Sequence, residues 1–151
     1  MTYYRPAEIG MPLADVDTPA LILDLDVFER NLARMRDSLA GRSIKLRPHA
    51  KSHKCPEIAK RQIALGAVGV CCQKVSEAAA MVDGGITDVL IANEVVGAAK
   101  LDALAALAKR ATIRVCADDA GNVQELDRAA RAAGVTLEVL VEIDEIGRAH
   151  V

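Results

Sequence analysis

Charge of one sign is scarce in this chain of 151 residues: 19 Lys and Arg against 21 Asp and Glu leave a formal net charge of −2 and a pI near 5.9. A balance so close to neutral gives no electrostatic reason to expect nucleic acid or an anionic membrane as partner. Long apolar runs are missing too. None approaches transmembrane length, and the start Met1-Thr2-Tyr3-Tyr4-Arg5-Pro6 has no apolar core of the kind a secretory signal carries. The expected location is the cytoplasm. Cysteine is sparse, and its placement does not suggest a disulfide framework: Cys71 and Cys72 are adjacent within an apolar stretch, with Cys55 and Cys116 far away in sequence. All four are read as reduced thiols. What is present, 52% hydrophobic and 26% charged residues, fits a globular α/β chain rather than a disordered one.

Helical and strand periods alternate along the chain. Residues 21–23 read as a short strand, and Asp26 is expected to cap a helix through residue 39, with Val27, Leu32, Met35 and Leu39 near helical spacing and Gly41 as the stop. Residues 44–50 read as a strand, and 56–65 as a helix opened by Pro56 and closed by Gly66. Further strands are predicted over 68–75, 89–92, 113–117 and 137–143. The helices between them are predicted over 76–82 with Ser76 as cap, 98–109, and 122–133 ended by Gly134. Strands separated by helices of this length imply a parallel sheet of about five βα units. A closed (β/α)8 barrel takes roughly 250 residues. The expected fold is therefore a partial barrel. Its open edges and half-covered interior predict that these residues alone aggregate and lack activity.

The segment Leu46-Arg47-Pro48-His49-Ala50-Lys51-Ser52-His53-Lys54 sets a lysine where an apolar run ends and a helix begins. Side chains at the carboxyl ends of parallel strands converge on a common mouth, which is where chemistry is usually placed. From charge alone, Arg47, Lys51 and Lys54 read as a solvated basic loop. The alternative is that Lys51 is a Schiff-base lysine, its pKa depressed by desolvation and by Arg47 and Lys54 beside it. Alternation puts Arg47, His49 and Lys51 on one side of the strand. His49 then either lines a cofactor or orients the lysine, or is a buried histidine satisfied by a neighbouring strand. Gln73 and Asn93, at or near the next two strand ends, offer amides to a cofactor, hold neighbouring side chains, or serve as strand-end caps. Asp118 and Asp119 before Asn122 read as turn and helix-cap chemistry. His49, His53 and Cys55 do not have the spacing of a closed zinc site, and Gly84-Gly85 stands at the wrong end of the repeat to be a phosphate loop.

Four stretches follow one another in a fixed order. They are Thr18-Pro19-Ala20-Leu21-Ile22-Leu23-Asp24-Leu25-Asp26, the Lys51 segment, Gly69-Val70-Cys71-Cys72-Gln73-Lys74-Val75-Ser76-Glu77-Ala78, and Val89-Leu90-Ile91-Ala92-Asn93-Glu94-Val95. Together, over about residues 18–144, they resemble the amino-terminal part of the D-threonine aldolase and D-serine dehydratase family. These are alanine-racemase-like, fold type III pyridoxal-phosphate enzymes. The resemblance implies an alanine racemase N-terminal-domain-like partial TIM barrel with pyridoxal 5'-phosphate on Lys51; His49, Gln73 and Asn93 are cofactor-binding candidates by their strand placement alone. It also implies a divalent metal whose ligands lie in a carboxyl-terminal domain outside these residues.

By the same resemblance the intact protein is a lyase of small β-hydroxy-D-amino acids, a monomer or a homodimer. It would cleave them by retro-aldol reaction to glycine and an aldehyde. The Gly69–Ala78 stretch is most similar to the aldolases. A D-serine or D-3-hydroxyaspartate dehydratase stays open, as the metal surroundings decide which bond breaks. So does a non-catalytic pyridoxal-phosphate-binding protein of the same barrel, against which stand the Arg-Pro-His-x-Lys stretch and the Thr-Pro-x-Leu-x-Leu-Asp opening. An inactive fragment is the remaining alternative. The expected division is a tail over 1–17, a strand over 18–24 that belongs with a carboxyl-terminal β-domain, the first part of the barrel over 25–144, and a non-native tail over 145–151. That last heptapeptide, Glu145-Ile146-Gly147-Arg148-Ala149-His150-Val151, reads as a translated sequencing adapter. The family pattern has a pyridine-facing arginine near this point, but neither Arg148 nor His150 is given a role.

Overall fold

The structure, a computed structural model, describes residues 6–143. Four strands make one parallel sheet in chain order: β1 (Val70–Cys72), β2 (Asp88–Glu94), β3 (Thr112–Ala117) and β4 (Glu138–Val141). The helices α1 (Leu25–Leu39) and α2 (Pro56–Ala64) precede the sheet, and α3 (Val75–Asp83), α4 (Ala98–Leu107) and α5 (Ala120–Ala133) join successive strands. A parallel pair needs such crossovers, since a tight turn cannot return the chain to the same end. The result is an α/β fold of successive βα units, the arrangement expected of a partial (β/α)8 barrel. None of the described helices is long and apolar enough to cross a membrane.

The strands separate two environments by alternation. Along β2, Val89 and Ile91 are fully buried while Asp88, Leu90 and Ala92 are half-buried. The ladder pairs Val70 with Val89 and Ile91 with Val115, and these side chains belong to the same core as Met81, Leu104 and Leu126 from α3, α4 and α5. Burying each such side chain contributes about 1.5–3 kcal/mol. The opposite face carries the row His49, Cys71, Leu90, Arg114 and Glu138, successive register partners across the sheet.

Several elements differ from expectation. The α1 cap is Asp24, whose carboxylate accepts the Val27 N–H at 2.9 Å; Asp26 falls inside the first turn, where an acid favours the helix dipole without capping it. Residues 21–23 belong to no strand, because no described strand pairs with them to complete a ladder, and Leu21 and Ile22 are exposed. Residues 44–50 meet the sheet at one bridge, His49 to Cys71, with the Val68 N–H donating to Leu46 O at 2.9 Å and the Cys71 N–H to Pro48 O at 2.8 Å. Pro48 has no N–H to donate, so the ladder does not propagate through it. Ser76 is not the α3 cap. Lys74 holds that position without a side-chain cap bond, and Glu77 instead accepts the N–H of Gln73 at 2.9 Å.

Asp119 caps α5 by accepting the Asn122 N–H at 2.8 Å, as the paired aspartates suggest, and Gly134 ends that helix with φ +67°, a left-handed conformation natural to glycine. The β4 residues Val139, Leu140 and Val141 are exposed along the open edge of the sheet. Asp144, Arg148, His150 and the tail 145–151 lie outside the described residues.

Candidate active site

The carboxyl end of the 44–50 segment turns at once into a short 3-10 turn, Ala50–Ser52, and Lys51 sits in it. His49 makes that turn. Its Nδ1 accepts the Lys51 N–H at 3.3 Å, its carbonyl accepts the Ser52 hydroxyl at 3.2 Å, and its own backbone is the bridge to Cys71. A neutral imidazole that accepts at Nδ1 carries its proton on Nε2. Lys51 itself is exposed, so the described residues do not provide the desolvation expected of it. Its charge is nonetheless felt on the sheet. Burial pushes the Cys71 thiol up, and the Ala92 backbone, Arg47 and Lys51 oppose that rise. Lys51 follows His49, the first residue of the row that continues through Cys71.

The two cations that the sequence places next to Lys51 each have a carboxylate partner. The Lys54 ammonium lies 3.7 Å from Glu77, and the Arg47 guanidinium 2.6 Å from Asp88. Lys54 adopts φ +51°, rare for a side chain of its kind, just before Cys55 and the helix-opening Pro56. Glu77 is held below the usual carboxylate range by the Gln73 N–H first, against burial, and then by Lys54. Next along the sheet, the Asn93 side-chain amide donates to the Gln73 carbonyl at 3.3 Å. Lys51, His49, Gln73 and Asn93, each singled out from the sequence, lie as two bonded pairs at the carboxyl end of the sheet. Their side chains support one another's main chains: His49 caps the lysine turn, and Asn93 holds the end of β1.

Sequence reasoning missed the charged row beneath. Asp88 Oδ1 accepts from Arg47 Nη1 at 2.6 Å and from Arg114 Nη1 at 2.5 Å, and Arg114 Nε reaches Glu138 at 2.6 Å. Burial would raise the Asp88 carboxyl, but the two guanidinium groups outweigh it and hold it low. The signal was available in a charged residue set among core positions, as Arg114 is between Ile113 and Val115. His53 turns away from this face. Its Nδ1 accepts the Cys55 N–H at 3.0 Å, while its buried Nε2 and the buried Gln62 Oε1 interact without reaching hydrogen-bond geometry. Among the described residues, no group of three or more His, Cys, Asp or Glu converges to hold a metal.

The model of the alanine racemase N-terminal domain matches residues 23–148. The chain belongs to this family. As a member of the alanine racemase N-terminal domain family it is 56% identical over 139 residues to a D-threonine aldolase of Arthrobacter sp, covering 92% of this chain and 37% of that protein. It is 49% identical over 144 residues to a 3-hydroxy-D-aspartate aldolase of Paracoccus denitrificans, covering 94% of this chain and 37% of the relative. The solved D-threonine aldolase from Filomicrobium marinum matches with a TM-score of 0.90 at 64% identity, over 97% of this chain and 40% of that structure. The chain thus spans about 37% of the length of the curated relatives it matches.

Proposed function

We propose that the protein to which this chain belongs is a pyridoxal-phosphate-dependent lyase of β-hydroxy-D-amino acids, cleaving a D-threonine-like substrate to glycine and an aldehyde. Lys51 carries the cofactor, and His49, Gln73 and Asn93 border it. The observation that supports this best is the placement of Lys51. A primary amine sits on a turn capped by His49 at the end of the sheet where Gln73 and Asn93 also meet, in a chain 56% identical to a D-threonine aldolase. Those residues fit the cofactor chemically, as an amine for its aldehyde and uncharged polar groups for its ring. When bound there, pyridoxal phosphate supplies an electron sink for the breaking bond.

The residues of this chain hold and orient. His49 fixes the lysine turn through Nδ1, Asn93 fixes Gln73, and Glu77 ties Lys54 to the end of β1. In the overall reaction the substrate hydroxyl loses its proton, the Cα–Cβ bond breaks, the aldehyde departs, and Cα takes a proton to leave glycine. The described residues do not fit the divalent metal that the family resemblance implies, since no three or more of their His, Cys, Asp or Glu side chains converge; its ligands would lie outside them. In the same reading the protein acts on a small-molecule substrate in the cytoplasm, as a monomer or homodimer.

The test uses the protein completed to the length of its relatives, loaded with pyridoxal phosphate and given D-threonine. Acetaldehyde and glycine should form in equal amounts, and Lys51→Ala should abolish both. Borohydride reduction followed by peptide mass analysis should mark Lys51. Marking of Lys54 or Lys74 with Lys51 untouched would overturn the assignment.

A further inference from the structure

The segment that delivers Lys51 is thinly attached to the sheet. Among the described residues, one bridge and two main-chain hydrogen bonds join residues 44–50 to the stretch 68–71, and Pro48 contributes no donor. Such a short ladder fixes register poorly. A side chain supplies the missing anchor. From the 44–50 segment Arg47 passes over β1, its Nη1 3.5 Å from the Val70 carbonyl, and reaches Asp88 at the start of β2 at 2.6 Å. Asp88 is shared with Arg114 of β3, and Arg114 with Glu138 of β4, so one chain of opposite charges crosses from the lysine segment to the far strand.

The crossing point has been kept clear. Gly69 adopts φ +143°, and a Cβ there would stand 2.5 Å from Arg47 Nη1 and 2.5 Å from the Asp88 carbonyl oxygen. Only glycine leaves the guanidinium this path. The Arg47 side chain is 18% exposed, which sets this contact apart from the chain's solvated surface pairs. Arg47 also lies four residues before Lys51, and both cations act on the same Cys71 thiol.

We propose that Arg47 is a positioning residue for Lys51: bound across β1 to Asp88, it fixes where the 44–50 segment lies and hence where the lysine leaves the sheet. This rests on Lys51 as the cofactor-bearing residue. Arg47 touches neither substrate nor cofactor in this role. It acts through the five residues from itself to the lysine, and Asp88 is its counterpart on the rigid part of the sheet.

The experiment compares Arg47→Gln, Arg47→Lys, Asp88→Asn and the double variant Arg47→Gln/Asp88→Asn in the full-length protein, with Lys51→Ala as control. Pyridoxal phosphate affinity is measured by absorbance titration, and visible circular dichroism per bound cofactor is measured at saturation. Arg47→Gln should weaken cofactor binding about tenfold, within the range of couplings between contacting residues, and reduce the circular dichroism of each cofactor still bound. Arg47→Lys should restore most of both. Asp88→Asn should act in the same direction, and the double variant should lose no more than the worse single one, as coupled residues do.

A residue that merely stabilises the fold would lower the fraction of protein that binds and leave the signal per bound cofactor unchanged; that result, or wild-type affinity in Arg47→Gln, overturns the proposal. Should Arg47→Gln fail to fold, Asp88→Asn decides by the same two readings. Borohydride marking separates this from the reading beneath it. Lys51 marked in the wild type while Arg47→Gln behaves as wild type defeats the positioning role alone, whereas a mark that persists elsewhere in Lys51→Ala defeats the cofactor assignment and the positioning role with it.

Discussion

Asn93, near the end of β2, donates its side-chain amide to the main-chain carbonyl of Gln73, just past the end of β1, at 3.3 Å. The two residues come from neighbouring βα units, and the bond forms where the β2–β3 register slips between Ile91 and Glu94. An irregular strand end frees the side chain of Asn93 to serve the adjacent strand, so the sheet is held at its carboxyl end by side chains as well as by its ladder.

Replacing Asn93 tests that closure. Asn93→Ala should destabilise by about 0.5–1.5 kcal/mol, the usual net worth of such a bond. Asn93→Asp should cost more, because a carboxylate cannot donate and would face the Gln73 carbonyl directly. Urea unfolding together with a cofactor titration reads both effects. Equal stability of Asn93→Asp and wild type would show that the bond does not form.

Gly69→Ala should be damaging out of proportion to one methyl group. Its φ of +143° is one that L side chains rarely adopt, and the new Cβ would press on Arg47 and the Asp88 carbonyl. The strained backbone alone costs about 1–3 kcal/mol, and loss of the Arg47 path should add lowered cofactor affinity. A midpoint of urea unfolding within error of the wild type would contradict the geometry.

Thiol reactivity should rank the four cysteines. Burial first, then the nearby Glu77 charge, pushes Cys72 up to about 12, and burial with Glu142 pushes Cys116 up to about 11. Thiols of that kind carry almost no thiolate near neutrality. Iodoacetamide at pH 8 on the native protein should mark Cys55, the one of the four that is not buried, well before Cys72 or Cys116. Peptide mass analysis at short times reads the order, and early marking of Cys72 would contradict its burial.

How far the fold was legible follows from which forces act locally. The helix-strand alternation shows in the sequence because burial repeats at fixed spacing, as in Val89 and Ile91 of β2, and Gly134 and Asp119 announce the ends of α5 by backbone chemistry alone. Residues 21–23 have strand composition, yet a strand needs a partner, which is not a property of its own sequence. The position of Lys51 was legible through its motif; its exposed turn and the cap from His49 were not, since both depend on how the chain folds back after Pro48. The Arg47–Asp88–Arg114–Glu138 row joins residues up to 91 positions apart between Arg47 and Glu138, and a sequence read in windows sees four unrelated charges.

His53 should make the stability of the fold depend on pH near neutrality. One ring nitrogen accepts the Cys55 N–H, the other is buried near Gln62, and burial lowers the pKa of the imidazole against the opposing pull of the Cys55 and Gln62 contacts. A group whose folded pKa lies below its unfolded value binds protons more readily when unfolded. Its contribution to stability is therefore complete above the unfolded value, about 6.5 for histidine, and is lost as pH falls from there through the folded value. Asp88 and Glu77 are also held low, but their contributions are complete above the unfolded carboxylate values, about 4, and are lost only below them. Between pH 7.5 and 5.5 they should therefore be silent. His53→Asn keeps an acceptor near the Cys55 N–H and removes the titration. Urea midpoints of the wild type should fall across that interval, and those of His53→Asn should fall less; parallel pH profiles of the two proteins would show that His53 is not the group responsible.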